Sequence, residues 1–309
     1  MDIFTQQLIN GLVLGSIYAL IALGYTMVYG ILELINFAHG EVTMFGALVC
    51  IAVIEVLLAS GTGVGGVGAL AIGLVAAIVV CVALGFSIER VGYRPLRGAP
   101  RLAPLITAIG LSIVLQNVAM LIWGKQYISF PPVVPIERYA IAGAVITNLQ
   151  IFIVLLALTL MAALWWLVTR TRLGRAMRAT AHSRELAGLM GIDTNKIVSL
   201  TFILGAALAA IAGVMVGAYY GLGHYYMGFM LGLKAFTAAV LGGIGNIAGA
   251  MLGGLLLGVI ESVGAGYLGA VSGGFLGSHY QDVLAFMVLI AVLVLRPSGL
   301  LGERVTERA

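Results

Sequence analysis

RTRLGRAMRATAHSRELAGLMGIDTNK, residues 170–196, decides how the rest of the chain is read, because it is the one long hydrophilic interruption between apolar runs. It carries six of the 16 Lys+Arg against two acids, Glu185 and Asp193. By the positive-inside rule such a segment faces the cytoplasm. Within it Ser183 can cap a short helix, Glu185 lies near that helix's positive end, and Gly191 is a natural stop. Leu186, Leu189 and Met190 then fall at i, i+3 and i+4 on one face. A capped helix with such a stripe suits docking into a groove on a partner, and equally suits lying on the lipid surface.

Composition fixes the class. Of 309 residues 61% are hydrophobic and only 9% charged, and mean hydropathy is +1.12, whereas soluble domains are about a quarter charged. The fold class is therefore all-α: a polytopic membrane helical bundle. A β-barrel is excluded because the apolar runs last about 20 residues and do not alternate in segments of about 10. The net charge of +4 lies in loops beside the spans, so topology explains it without nucleic acid. Cys50 and Cys81 sit in apolar runs with no C-x-x-C or His-rich surroundings and read as packing residues, not metal ligands. The first apolar run is preceded by Asp2 and no basic residue and is too long for an h-region, so it is expected to stay as a span. Without a Walker A, H-E-x-x-H or G-x-S-x-G motif, the chain is not read as an ATPase, hydrolase or other enzyme.

The spans are expected at Leu8 to Gly30, Thr43 to Leu58, Ala69 to Phe86, Leu102 to Trp123, Leu149 to Val168, Ile197 to Tyr220, two shorter helices meeting at Gly242 to Asn246, the second running through Glu261, and Val283 to Leu295. Gly11-x-x-x-Gly15 lets a neighbouring helix approach closely. The Arg90–Arg101 loop, residues 170–196 and the tail from Arg296 place 13 of the 16 basic residues on one side. The proline-bearing loop from Lys125 to Asn148 then lies outside, the segment from Tyr220 to His279 starts and finishes outside, and the N-terminus is outside too. Nine crossings fit this count, or eight with an early re-entrant segment. The chain is expected to form a single transmembrane domain over residues 1–309, with a cytoplasmic segment at 170–196.

Two polar, glycine-containing stretches interrupt the apolar runs: Ile35-Asn-Phe-Ala-His-Gly-Glu41 and Gly242-Gly-Ile-Gly-Asn246. Polar backbone at membrane depth is tolerated chiefly where it lines a cavity or is buried in protein, and transporters build substrate sites from discontinuous helices. Asn36, His39, Glu41, Gly242, Gly245 and Asn246 are thus candidate pathway residues, against the simpler reading that Asn36, His39 and Asn246 cap helix ends. Few intramembrane charges are visible to pair with a charged substrate. Glu41, Glu55 and Glu261 are the candidates an ion-coupled secondary transporter would need.

The motifs also carry a resemblance. Glu185-Leu-Ala-Gly-Leu-Met-Gly191 resembles the E-A-A-x-x-x-G loop of ABC importer permeases, with Leu186 in place of the first alanine, which implies that Glu185, Leu186, Ala187, Leu189, Met190 and Gly191 form a coupling helix on an ATPase. Gly24-Tyr-Thr-Met-Val-Tyr-Gly30, the Ile35–Glu41 stretch, Glu89-Arg-Val-Gly-Tyr-Arg-Pro95, Met190-Gly-Ile-Asp193 and Lys234-Ala-Phe-Thr-Ala-Ala-Val-Leu-Gly-Gly-Ile-Gly245 are similar to the H-type permease of bacterial high-affinity branched-chain amino acid ABC importers. The likeness runs from about Gly11 to Gly299. It implies a multi-pass protein of the bacterial inner membrane that passes leucine, isoleucine or valine. It further implies a second, homologous permease, two cytoplasmic ATP-binding subunits that use the ATP, a periplasmic amino-acid-binding protein, and no cofactor or metal in this chain. A permease for urea or short amides shares Asn-x-Ala-His-Gly-Glu but is less like this chain at Lys234–Gly245.

Overall fold

Apolar runs in hydrocarbon fold as helices because each backbone N–H and C=O must be satisfied within the segment. The computed structural model describes residues 2–302 except 62, 101, 142, 272, 274, 276, 278 and 279. Arg101, Arg304 and Arg308 of the charge count, and His279 at the end of the penultimate segment, lie outside the described residues. In chain order the helices are α1 (Asp2–Leu32), α2 (His39–Ala59), α3 (Gly66–Ser87), α4 (Leu102–Trp123), α5 (Asn148–Arg170), α6 (Arg172–His182), α7 (Arg184–Leu189), α8 (Thr194–Tyr220), α9 (Met227–Gly242), α10 (Ile247–Val271) and α11 (Gln281–Leu295). Among the described residues seven helices, α1 to α5, α8 and α10, are long and apolar enough to cross a membrane, and α9 and α11 are shorter apolar helices. A π-helical turn, Ile88–Tyr93, and a 3-10 turn, Arg94–Leu96, extend α3.

Two short antiparallel pairings join the loops: β1 (Ile128–Ser129) with β4 (Leu222–Gly223), and β2 (Arg138–Ile141) with β3 (Ala144–Thr147), the latter in the register Arg138 opposite Thr147. The hairpin occupies the segment that the sequence reads only as a proline-bearing loop.

The chain forms two compact units, each of non-contiguous segments. The first comprises Met1–Thr26, Ile136–Trp165 and Lys234–Ala309. Its seam is the approach of α1 to α10 that Gly11 and Gly15 permit: a Cβ at Gly11 would lie 2.7 Å from Val259 Cα, and one at Gly15 2.8 Å from Leu255 Cα. Backbones that close pack without intervening side chains, as small-x-x-x-small pairs do in membranes. α9 folds back on α10 in the same way, Gly242 against Gly249. The second unit comprises Met27–Pro135 and Trp166–Leu233. There α2 packs on α8, with Gly46 on Ala210 and Gly213 on Thr43, while Cys50 and Cys81 are buried against α2 and α3. The Cys81 thiol donates to the Val42 carbonyl at 3.3 Å.

One boundary differs from expectation. His39, Gly40 and Glu41 belong to the first turn of α2, since the His39 amide already bonds back to the Asn36 carbonyl at 3.0 Å. The later segment expected through Glu261 runs on to Val271 as α10, and Glu261 is paired within the protein.

Labelling checks the orientation. Cysteine at Ser129, an exposed residue, is expected to react with an impermeant thiol reagent on intact cells, and cysteine at Ser183 only after permeabilisation. The reverse pattern would overturn the orientation and the placement of α7 with it.

Candidate functional site

The second unit holds a helix, α2, whose head meets the middle of its neighbour α4. Glu41, in the first turn of α2, accepts from Ser112 Oγ at 3.0 Å and Gln116 Nε2 at 2.8 Å. Ser112 stands ten residues into the 22-residue α4, about 15 Å from its start at 1.5 Å per residue, so Glu41 meets α4 near its middle. Ala38 precedes α2 without supplying a side-chain cap. On the other side the chain descends: Gly223 packs on Leu48 and Ile51, and Gly228 on Gly40 and Glu41, a drop of about two turns of α2. α9 therefore also starts at depth, and its 16 residues span only about 24 Å. A Cβ at Gly40 would meet the Gly228 carbonyl oxygen and lie 2.7 Å from Gly232 Cα. Two helix N-termini, each the positive end of its helix, thus abut on glycine backbone beside one carboxylate.

Asn36 and His39 flank this point. Asn36 is 4% exposed and His39 3%; Tyr93 Oη donates to the Ile35 carbonyl and to Asn36 Oδ1, both at 3.2 Å, tying the interrupted backbone to the turn after α3. Ser112, Gln116, Gly228 and Gly232 are not singled out by the sequence reading. Their signals were present: a serine and a glutamine at i, i+4 in an apolar run, and a Gly-x-x-x-Gly at the head of α9.

The other expected stretch lies in the first unit. Gly243 (φ 108°) and Gly245 (φ 94°) make the turn between α9 and α10 in backbone that L side chains rarely adopt. Asn246 Oδ1 accepts from the Gly249 amide at 3.0 Å, capping α10, and its Nδ2 donates to the Leu301 carbonyl at 2.8 Å. The amides of Leu300 and Leu301 reach the carbonyls of Leu241 and Gly242 at 3.0 and 2.9 Å, satisfying two of the acceptors that the end of a helix leaves open. Gly242 and Gly245 thus shape a turn closed by the chain's own C-terminal segment.

Intramembrane charge is richer than the sequence reading allows. Lys234 Nζ lies 2.6 Å from Glu261 Oε1 and 2.8 Å from Asp282 Oδ1, binding α9, α10 and α11 together, with Tyr18 Oη on Glu261 at 3.3 Å. Glu89 is buried against Arg97 and accepts from Ser199 Oγ at 2.7 Å. Glu55 is exposed. Of the three acids an ion-coupled carrier would use, one faces outward and one is already paired.

In the hydrophilic segment 170–196 Ser183 Oγ accepts from the Leu186 amide at 3.2 Å and caps α7, and Gly191 (φ 81°) ends it. Glu185 lies in the first turn and Ala187 is buried, whereas Leu186, Leu189 and Met190 are 59%, 80% and 83% exposed. A preceding helix, α6, is capped by Thr171 through the Gly174 amide. Asp193 caps α8 through the Lys196 amide, a bond that holds its carboxyl below the ordinary carboxylate range. That contribution is present above the ordinary value and is lost as the pH falls through the depressed one.

Comparison with known proteins agrees with this architecture. A family model described as "Branched-chain amino acid transport system / permease component" matches residues 7–293. The chain is 49% identical over 310 residues to the high-affinity branched-chain amino acid transport system permease protein BraD of Pseudomonas aeruginosa, covering 99% of this chain and 98% of that one. It is 47% identical to the corresponding protein LivH of Escherichia coli K12 over 99% and 97%, and 27% identical to a probable branched-chain amino acid transport permease protein, LivH, of Methanocaldococcus jannaschii over 97% and 94%. No solved structure matches. A chain matched over nearly its whole length by the family model, and over nearly the whole of relatives close to half identical, belongs to the branched-chain amino acid transport system permease family.

Proposed function

We propose that this chain is the membrane-spanning permease subunit of an inner-membrane ABC importer and passes leucine, isoleucine and valine to the cytoplasm as a single transmembrane permease domain. ATP is used by two cytoplasmic subunits, substrate is delivered by a periplasmic binding protein, and a second, homologous permease completes the passage. The observation that carries the reading is the interrupted backbone at Asn36, His39 and Glu41, which places a helix start and polar groups in mid-membrane, where lipid would penalise them and where transporters place substrate. The second stretch, Gly242, Gly245 and Asn246, serves the passage as the shaped end of α9 and not as ligand, because the Asn246 amide is taken up by the cap and the chain end.

Residues 170–196 couple the subunits. The exposed Leu186, Leu189 and Met190 provide the apolar face for an ATPase groove, while Glu185, Ala187 and Gly191 fix the geometry of α7. Labelled leucine taken up by proteoliposomes holding the assembled complex, dependent on ATP and on the liganded binding protein and unaffected by excess urea, is the expected result. Gly191→Leu forces a side chain into left-handed backbone, at about 1–2 kcal/mol, and shifts α7. Uptake is expected to fall several-fold while membrane insertion is unchanged. Wild-type uptake by this variant would remove α7 from the coupling path, and competition by urea would favour the short-amide reading.

A further inference from the structure

The membrane-embedded part of the chain buries three glutamates, Glu41, Glu89 and Glu261. Two have a cation: Arg97 for Glu89 and Lys234 for Glu261. Glu41 forms no ion pair among the described residues. It is 0% exposed; both its donors, Ser112 and Gln116, are neutral and share Oε1. Oε2 has no hydrogen-bond partner among the described residues and points at Gly228, whose Cβ would collide with it. A buried carboxylate missing a partner costs several kcal/mol, and Glu41 has neutral donors on one oxygen and, among the described residues, no hydrogen-bond partner on the other. No metal-binding cluster of three or more His, Cys, Asp or Glu occurs among the described residues. A single carboxylate oxygen framed by glycine backbone suits a small hydrogen-bonding cation better than a metal ion that needs several ligands.

We propose that Glu41 receives the α-ammonium group of the amino acid in transit, and that the glycine contact of Gly40 with Gly228 and Gly232 is the closed gate over it. The inference rests on the importer reading above and adds to it a residue that senses the amino acid's own charge. With the gate shut, α9 lies on α2 and covers Oε2. When the heads of α2 and α9 part, Oε2 is exposed beside two helix N-termini. The ammonium meets the carboxylate, and the substrate's carboxylate faces the positive ends of the helices, as anions do at helix N-termini. Glycines at 40, 228 and 232 let the closed state exclude water through backbone contact alone. The residue then discriminates between an α-amino acid and a neutral apolar molecule of the same size, a selection that the aliphatic side chain cannot provide.

The test is labelled-leucine uptake by the reconstituted full complex, normalised to assembled protein, with ATP hydrolysis measured in parallel. Glu41→Gln keeps the size and the bonds to Oε1 but removes the charge. Uptake is expected to fall roughly tenfold or more, the scale of one charge-assisted bond, while assembly and binding-protein-stimulated ATP hydrolysis persist. Gln116→Lys supplies a resident cation beside the carboxylate and decides the matter if the first variant fails to assemble: uptake is expected to collapse in a complex at least as stable as wild type. Uptake within twofold of wild type in an assembled Glu41→Gln or Gln116→Lys complex would overturn the proposal and leave Glu41 as a neutral hydrogen-bond partner. Absence of leucine uptake by the wild-type complex would overturn the importer reading instead, so the two failures are distinguishable.

Discussion

Lys234→Met is expected to remove most of the folded protein from the membrane, and Lys234→Met combined with Glu261→Gln and Asp282→Asn to restore much of it. Lys234 is the cation of a cluster in which Glu261 is almost fully buried, its side chain 2% exposed and 2.6 Å from Nζ, with Asp282 at 2.8 Å. Taking away the cation while leaving both acids strands a buried charge, at roughly 3–5 kcal/mol, against a total stability on the order of 5–15 kcal/mol. Removing all three charges leaves packed neutral groups, a change that is often close to neutral. Size-exclusion profiles of tagged protein in detergent give the yields. The single variant at wild-type yield would show that the cluster does not hold α9, α10 and α11 together, and no recovery in the triple variant would show that Lys234 is needed for more than charge balance.

The second large effect is expected at Gly40. Gly40→Ala puts a methyl group against the Gly228 carbonyl and 2.7 Å from Gly232 Cα, backbone atoms that cannot rotate away. Overpacking of this kind costs about 1–3 kcal/mol, and here it falls on the contact between the heads of α2 and α9. Leucine uptake per assembled complex is expected to drop roughly tenfold, the equivalent of about 1.4 kcal/mol. Gly110→Ala is the control, since a Cβ there meets nothing within 4 Å and alanine favours helix. Uptake equal to the control would mean that α9 shifts freely and that the glycine contact does not gate.

The class of protein, most span limits to within a few residues and the capped helix at 183–191 were legible in the sequence alone, and the basic-residue count set an expectation for the sidedness of its loops. Each depends on signals that are local along the chain: 20-residue apolar runs, basic residues beside them, and a serine followed by a positive-φ glycine. The interruption near Asn36 was legible for the same reason, because lipid leaves few uses for polar backbone at depth. Which groups meet was not legible. Asn246 reads on paper as a pathway amide, and only the return of the chain end to Leu241 and Gly242 shows it occupied as cap and clamp. Lys234, Glu261 and Asp282 stand as isolated charges in apolar runs until α9, α10 and α11 fold together and make one ion-paired cluster of them. Gly228 and Gly232 form a visible Gly-x-x-x-Gly, but its partner is not named until the descent from Gly223 lays the head of α9 on the head of α2. Tertiary structure decided these because pairing a buried charge, or closing two backbones on glycine, joins residues tens to hundreds of positions apart, and neither hydropathy nor charge along the chain records which of them will be neighbours.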